Sequence, residues 1–238
     1  MFCFELKDVR KTYGAGAQEV HALDGVSLGF APGEFTVLCG PSGSGKTTLL
    51  NMIGLLDTPT AGEVFVEEED VSRLSSKRLA RIRAGRIGFV FQAFNLVPVL
   101  SALENVEVSL HLARTPGDHR AIATEALERV GLGKLIHRKP GQLSGGQQQR
   151  VAIARALAKS PALVIADEPT ANLDSATGAE ILAIMREMNE EDGVTFLFST
   201  HDPMVRDCAR RVVILRDGRV AEDDVRARRP AGGAACSS

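Results

Sequence analysis

One stretch limits this chain more than any other: Phe35-Thr-Val-Leu-Cys39, then Gly40-Pro-Ser-Gly-Ser-Gly-Lys46-Thr47-Thr48, then Leu49-Leu-Asn-Met-Ile53. An apolar run enters a glycine-rich turn and leaves it as a helix. The middle matches the phosphate-cradling pattern G-x-x-x-x-G-K-[ST], with the buried strand before it and the helix after it that the pattern requires. Gly40, Gly43 and Gly45 admit backbone angles closed to other residues, so successive N–H groups can turn inward around phosphate oxygens. Pro41, Ser42, Ser44 and Thr48 complete the same cradle. The helix points its positive end at the same anion. Lys46 brings a full charge to the β- and γ-phosphates, and the Thr47 hydroxyl is placed to ligate a magnesium ion that bridges them.

Around this stretch the sequence alternates strands and helices. Phe4-Leu6, Val9 and Val26-Leu28-Phe30 alternate with polar residues and predict a small antiparallel sheet. Tyr13, the only tyrosine, lies between two of those strands; packing and stacking on a purine are equally open. Glu63 to Val66 is a further strand, and the acidic run Glu67 to Asp70 reads as a solvated turn. A basic helix is expected from Ser75 to Arg83, its charges in solvent, since no aromatic residues interleave with them as in a nucleic-acid stripe. Ile87 to Phe91 is a buried strand ending at Gln92, an amide that either caps the strand or holds water or a metal ion. From Ala93 to Lys159 the apolar spacing is helical, which predicts a lobe inserted between two core strands.

Within that lobe, Ser144 and Gln147 have the spacing of a capping box, so a helix starts there. Gly145 and Gly146 each cost such a helix about 1 kcal/mol relative to alanine, a local conflict that points to function, namely anion binding at the helix start. Leu163 to Ala166 is a core strand ended by Asp167-Glu168-Pro169. Adjacent carboxylates at a strand end point in opposite directions, so Asp167 can grip magnesium while Glu168 orients or deprotonates a water. Ser175 can cap the next helix, whose apolar face is Ile181, Ile184, Met185 and Met188. A buried strand from Val194 to Phe198 leads to His201, either a surface residue or a γ-phosphate contact. Val212 to Val220 reads as a hairpin around Asp217-Gly218, and the Arg-, Ala-, Gly- and Ser-rich end from about Asp224 as disordered.

Composition narrows the setting. A net charge of -2 creates no field that would recruit nucleic acid, and the four cysteines have neither disulfide nor zinc spacing, which fits a reducing cytoplasm. The longest uncharged stretch, Ile87 to Leu103, is too short and too polar to span a bilayer.

Gly40 to Thr47, Gln92, Leu143-Ser-Gly-Gly-Gln147, Leu163 to Glu168, Asp174 and His201, in that order, resemble the nucleotide-binding subunit of ATP-binding-cassette (ABC) transporters. The resemblance implies an α/β fold: a P-loop NTPase (RecA-like) core with a small antiparallel β lobe and a helical lobe inserted at about 93–160. A single domain would occupy 1–222 and a disordered tail 223–238. It also implies ATP and Mg2+ as ligands, with Tyr13 stacked on adenine, Gln92 on magnesium and His201 at the γ-phosphate. A second copy would close Ser144, Gly145, Gly146 and Gln147 over the ATP held by Lys46, with Asp174 at the same interface. The partner implied is an integral membrane permease, at the cytoplasmic face of the membrane, and no nucleic acid is expected. The segments Phe89 to Pro98 and Asp167 to Ser175 are similar to the lipoprotein-releasing and macrolide-export branch. A polar amino-acid import ATPase and a soluble ATP-switched clamp on DNA or the ribosome are the alternatives.

Overall fold

The computed structural model describes residues 1–14 and 19–226. Strands β1 (Phe4–Tyr13) and β2 (Val20–Phe30) pair antiparallel, with Phe4 opposite Phe30, Leu6 opposite Leu28 and Val9 opposite Val26. All six side chains are buried: Phe4, Leu6 and the three β2 residues follow the period of two, and an irregularity between Leu6 and Val9, with Asp8 at φ 46°, keeps Val9 in the core. Strand β3 (Phe35–Cys39) leaves this sheet for a second one, and α1 (Lys46–Ile53) follows the glycine-rich turn. Strands β4 (Ala61–Val66) and β5 (Glu69–Asp70) return and complete a four-stranded antiparallel sheet in the order β2-β1-β4-β5. Helix α2 (Ser76–Arg86) leads into β6 (Ile87–Phe91).

Between β6 and the next core strand, β7 (Leu163–Asp167), lie α3 (Ala102–Ala113), α4 (His119–Arg129) and α5 (Gly145–Leu157). The chain continues through α6 (Ser175–Asp192), β8 (Phe196–Ser199), α7 (Pro203–Cys208), β9 (Arg211–Arg216) and β10 (Arg219–Val225). The second sheet has the order β10-β9-β3-β8-β7-β6, parallel from β9 to β6 with β10 antiparallel at its edge. Both its faces are covered, which is why its strands read as unbroken apolar runs. Val37, Val164, Ala166, Phe196 and Phe198 pack with residues of α5 and α6. Their neighbours Leu38, Ile165, Leu197 and Val213 pack with α1 and the small sheet.

The register decides where chemistry can happen. Leu38 lies beside Ser199, Asp167 beside both Ser199 and Phe91. The phosphate loop, Gln92, Glu168 and Thr200-His201 therefore leave the sheet at one carboxyl edge, where open α/β sheets bind ligands.

The acidic run is a solvated turn as expected, with two surface ion pairs: Glu67 meets Arg86, and Glu69 meets Arg78 at 2.7 Å. Glu67 and Glu68 form the β4–β5 turn with φ of 48° and 72°, the left-handed geometry that glycine or asparagine would normally supply. Asp174 rather than Ser175 caps α6, because its carboxylate reaches the Thr177 amide at 2.9 Å while Ser175 is already helical. Strand β10 runs past 222 to Val225, held by the bidentate Arg211–Asp223 pair; residues 227–238 of the expected tail lie outside the described residues.

Candidate active site

The phosphate loop is built from backbone strain that only glycine tolerates. Gly43 and Gly45 have φ of 78° and 99°, and a Cβ on Gly45 would sit 2.4 Å from the Ala22 carbonyl. A Cβ on Gly40 would come within 2.3 Å of the Leu215 carbonyl and 2.7 Å of Ser44 Oγ. Lys46 folds back over the loop, donating from Nζ to the carbonyls of Gly40 (2.6 Å) and Pro41 (2.9 Å). Ser44 Oγ is buried without a hydrogen-bond partner among the described residues. An unpaired hydroxyl, a cation held only by carbonyls and the bare amides of the α1 start form a donor set that fits a polyphosphate. Thr47 opens the same helix and Asp167 ends β7, so a hydroxyl and a carboxylate suited to magnesium flank that set. Burial raises the Asp167 carboxyl above the ordinary range, and the neighbouring Glu168 adds to this; Ser199 and Lys46 act in the opposite sense.

Glu168 stands at φ 47°, strained for a non-glycine residue, and its amide donates to the Ser199 carbonyl at 2.9 Å. The carboxylate has two donors. Thr200 Oγ1 gives a 2.8 Å hydrogen bond to Oε2, and His201 Nδ1, carrying the ring proton, gives one of 2.6 Å to Oε1. Asp202 N–H in turn donates to Thr200 Oγ1. His201 is otherwise exposed, with 89% of its side chain accessible. Gln92 and Asn172 form a reciprocal pair: Gln92 Nε2 donates to Asn172 Oδ1 (3.2 Å), and Asn172 Nδ2 to the Gln92 carbonyl (3.0 Å).

Ser144, Gly145, Gly146 and Gln147 form the first turn of α5 and its cap. Ser144 Oγ accepts from Gln147 N–H, and Gln147 Oε1 accepts from Ser144 N–H, so the box is satisfied within itself. The glycine pair needs a divided explanation. A Cβ on Gly146 would lie 2.4 Å from Thr177 Cγ2, and Thr177 is locked by its hydrogen bonds to Asp174; packing alone requires this glycine. At Gly145 the nearest atom would be Leu173 Cδ2 at 3.5 Å, an ordinary contact, so the conflict noted in the sequence survives only there. The cap on α6 holds the Asp174 carboxyl below the usual range, mainly through the Thr177 amide.

Tyr13 lies at the end of β1, 41% exposed, with its hydroxyl on Asp57 at 2.9 Å. Asn172, Thr200 and Asp57 were invisible as site residues in the sequence. Each reaches its partner across at least 32 positions, and no local motif carries that information.

This fold and this edge define a P-loop NTPase of the ATP-binding-cassette type. Residues 23–171 match the family model described as ABC transporter. The chain belongs to the ABC transporter family and is an ATPase subunit related to the branch of the following relatives. It is 52% identical over 221 residues to the lipoprotein-releasing system ATP-binding protein LolD of Anaeromyxobacter dehalogenans, covering 92% of each chain. The same identity relates it to the macrolide export ATP-binding/permease protein MacB of Syntrophobacter fumaroxidans; there 92% of this chain spans 31% of the relative's length. A solved dimeric structure of the ATP-binding cassette MJ0796, in a post-hydrolysis state bound to ADP and Pi, superposes with a TM-score of 0.83 at 47% identity. That match covers 93% of this chain and 98% of the other.

Proposed function

We propose that two copies of this chain bind two ATP between them and power a separate membrane permease of the lipoprotein-release or macrolide-export type. The observation that carries the reading is the Glu168 carboxylate, held by Thr200 and His201 at the sheet edge onto which the phosphate loop opens. A carboxylate fixed there by two donors can take a proton from a water aimed at the γ-phosphate, an effect worth about 10² to 10⁴ in rate. Lys46 would exchange its two loop carbonyls for phosphate oxygens, and Ser44 would gain the partner it lacks. Thr47, Asp167 and Gln92 would hold magnesium, which when bound offsets the negative charge of the β- and γ-phosphates. Gln92 would release Asn172 to do so.

The two-copy arrangement is supported by the contrast between an unfilled phosphate loop and a finished α5 start. Ser144 and Gln147 satisfy one another, and Lys46 reaches only its own loop. The α5 start of a second copy would cover the outer side of the nucleotide, so ATP joins the copies and its loss as ADP releases them. The dimeric description of MJ0796 with ADP and Pi supports the pairing of two copies, and the names of the LolD and MacB relatives support the lipoprotein-release or macrolide-export type. Among the described residues no helix is long and apolar enough to cross a membrane, in keeping with a separate permease. Val97 and Val99, 41% and 70% exposed just beyond Gln92, offer that partner an apolar contact.

The test is recovery of partners from detergent-solubilised membranes by the tagged Glu168→Gln variant in ATP. Capture of an integral membrane protein is the expected result; capture of only soluble partners or nucleic acid would overturn the permease assignment.

A further inference from the structure

Tyr13 is held more firmly than an exposed aromatic at a strand end needs to be. Asp57 bridges two groups at once: Oδ2 accepts from the Tyr13 hydroxyl at 2.9 Å, and Oδ1 accepts from Lys11 Nζ at 2.7 Å. Lys11 Nζ donates also to the Thr58 carbonyl at 2.8 Å and lies 5.0 Å from the centroid of the Tyr13 ring. The Thr58 amide closes on Asp57 Oδ1 at 2.7 Å. The Lys11 ammonium thus lies over one ring face and the hydroxyl is tethered, while Tyr13 as a whole stays 41% exposed.

The other end of the tether is as informative. Asp57 lies four residues past α1, and its amide donates to the Asn51 carbonyl of that helix. Helix α1 begins at Lys46, so the bridge ties an aromatic on the small sheet to the helix that carries the phosphate loop. The ionisation of both groups agrees with a persistent contact. Burial would raise the Asp57 carboxyl, but Lys11, the Thr58 amide and the Tyr13 hydroxyl outweigh it and hold it below the usual range. Burial and then the Asp57 hydrogen bond push the Tyr13 phenol up, with Thr48 acting the other way.

We infer that Asp57 is a positioning residue for the nucleotide base: it fixes the plane of Tyr13 and its spacing from the phosphate loop, so that a purine stacks on the face opposite Lys11 while its phosphates occupy the loop. This rests on the assignment of Tyr13 to base stacking. Two ligand groups joined by a ribose need two subsites at a fixed separation, and a bridge from strand to helix sets that separation before binding.

The chain has one tyrosine and no tryptophan, so its ultraviolet emission reports this ring directly. A carboxylate hydrogen-bonded to a phenol quenches that emission by accepting its proton in the excited state. The experiment measures tyrosine emission, steady-state ATP hydrolysis and calorimetric binding of ATP and of tripolyphosphate, which has phosphates but no base. It uses the full chain and its Asp57→Asn, Tyr13→Phe and Tyr13→Ala variants. In Asp57→Asn we expect brighter emission, an ATP Kd raised roughly 5- to 10-fold, a KM that rises more than kcat falls, and an unchanged tripolyphosphate Kd. Tyr13→Phe, which removes only the hydroxyl, should weaken ATP in the same direction by a smaller factor. Equal loss of ATP and tripolyphosphate in Asp57→Asn would mean a distorted α1 and would overturn the inference. So would an unchanged ATP Kd in Asp57→Asn while Tyr13→Ala binds weakly. If Tyr13→Ala binds ATP as the parent does, the stacking assignment itself fails, and the inference fails with it.

Discussion

The phosphate loop and the start of α5 are both glycine-rich turns that open a helix, yet their polar groups are disposed in opposite ways. In the phosphate loop the groups are left wanting: Ser44 has no partner among the described residues and Lys46 rests on the carbonyls of its own turn. At the start of α5, Ser144 and Gln147 close a complete capping box, and Gly146 is a glycine because Thr177 occupies the space of its Cβ. A site can therefore be built from unmet demand or from a finished surface waiting for something to arrive. On the proposed two-copy arrangement the first acts within one chain and the second against another copy.

The largest effect expected separates chemistry from binding. Glu168→Gln should lower kcat by about 10² to 10⁴ and leave the calorimetric ATP affinity intact, because it removes the base and leaves the phosphate loop unchanged. Near-normal hydrolysis would remove Glu168 from its role. The glycine pair sharpens the comparison further. Gly145→Ala should fold as well as the parent, gaining up to about 1 kcal/mol of helix propensity, while ATP turnover falls roughly 10²-fold through misplacement of the α5 start. Gly146→Ala should lose about 1 to 3 kcal/mol in urea unfolding, because its methyl meets a Thr177 that cannot turn away. Equal behaviour of the two variants would break the distinction.

The far end of α5 shows what anchors that surface. Arg155 donates to the carbonyls of Phe94 and Asn95, and Lys159 donates to Ala84 at 2.6 Å, with no carboxylate among the contacts that shift its pKa. Burial, with Arg155 and Arg83 nearby, lowers the Lys159 pKa from 10.5 to about 8. Between those values the unfolded chain binds more protons, so this group makes stability rise with pH across that window; below about pH 8 its full penalty is present. Measured against Lys159→Met, the stability of the parent should climb by roughly 2 to 3 kcal/mol from pH 8 to 10.5. A parallel pair of pH curves would contradict the shift. The smallest effect belongs to the cap: Ser144→Ala should cost about 1 kcal/mol in the same unfolding assay.

How far the sequence discloses this depends on how local each cause is. The phosphate loop and the α5 capping box are legible because their residues are consecutive and their glycines or spacing have a single mechanical reading. The small sheet is legible from the alternation of Val26, Leu28 and Phe30, whereas the irregularity between Leu6 and Val9 is not. The contacts of Glu168 are not, since they depend on β8 lying between β3 and β7, an order that the chain does not follow. The packing reason for Gly146 is hidden for the same reason: the methyl group that forbids a side chain there belongs to a residue 31 positions on. The acidic turn finds its partners on α2, the next element along the chain, but no spacing rule links a turn to the helix after it.

Sedimentation velocity of the Glu168→Gln variant, with and without nucleotide, tests the central claim most directly. A dimer is expected in ATP, monomers in ADP, and monomers in ATP once Ser144→Arg is added to fill the α5 start. A monomer in ATP, or a dimer that forms regardless of nucleotide and of Ser144, would contradict it.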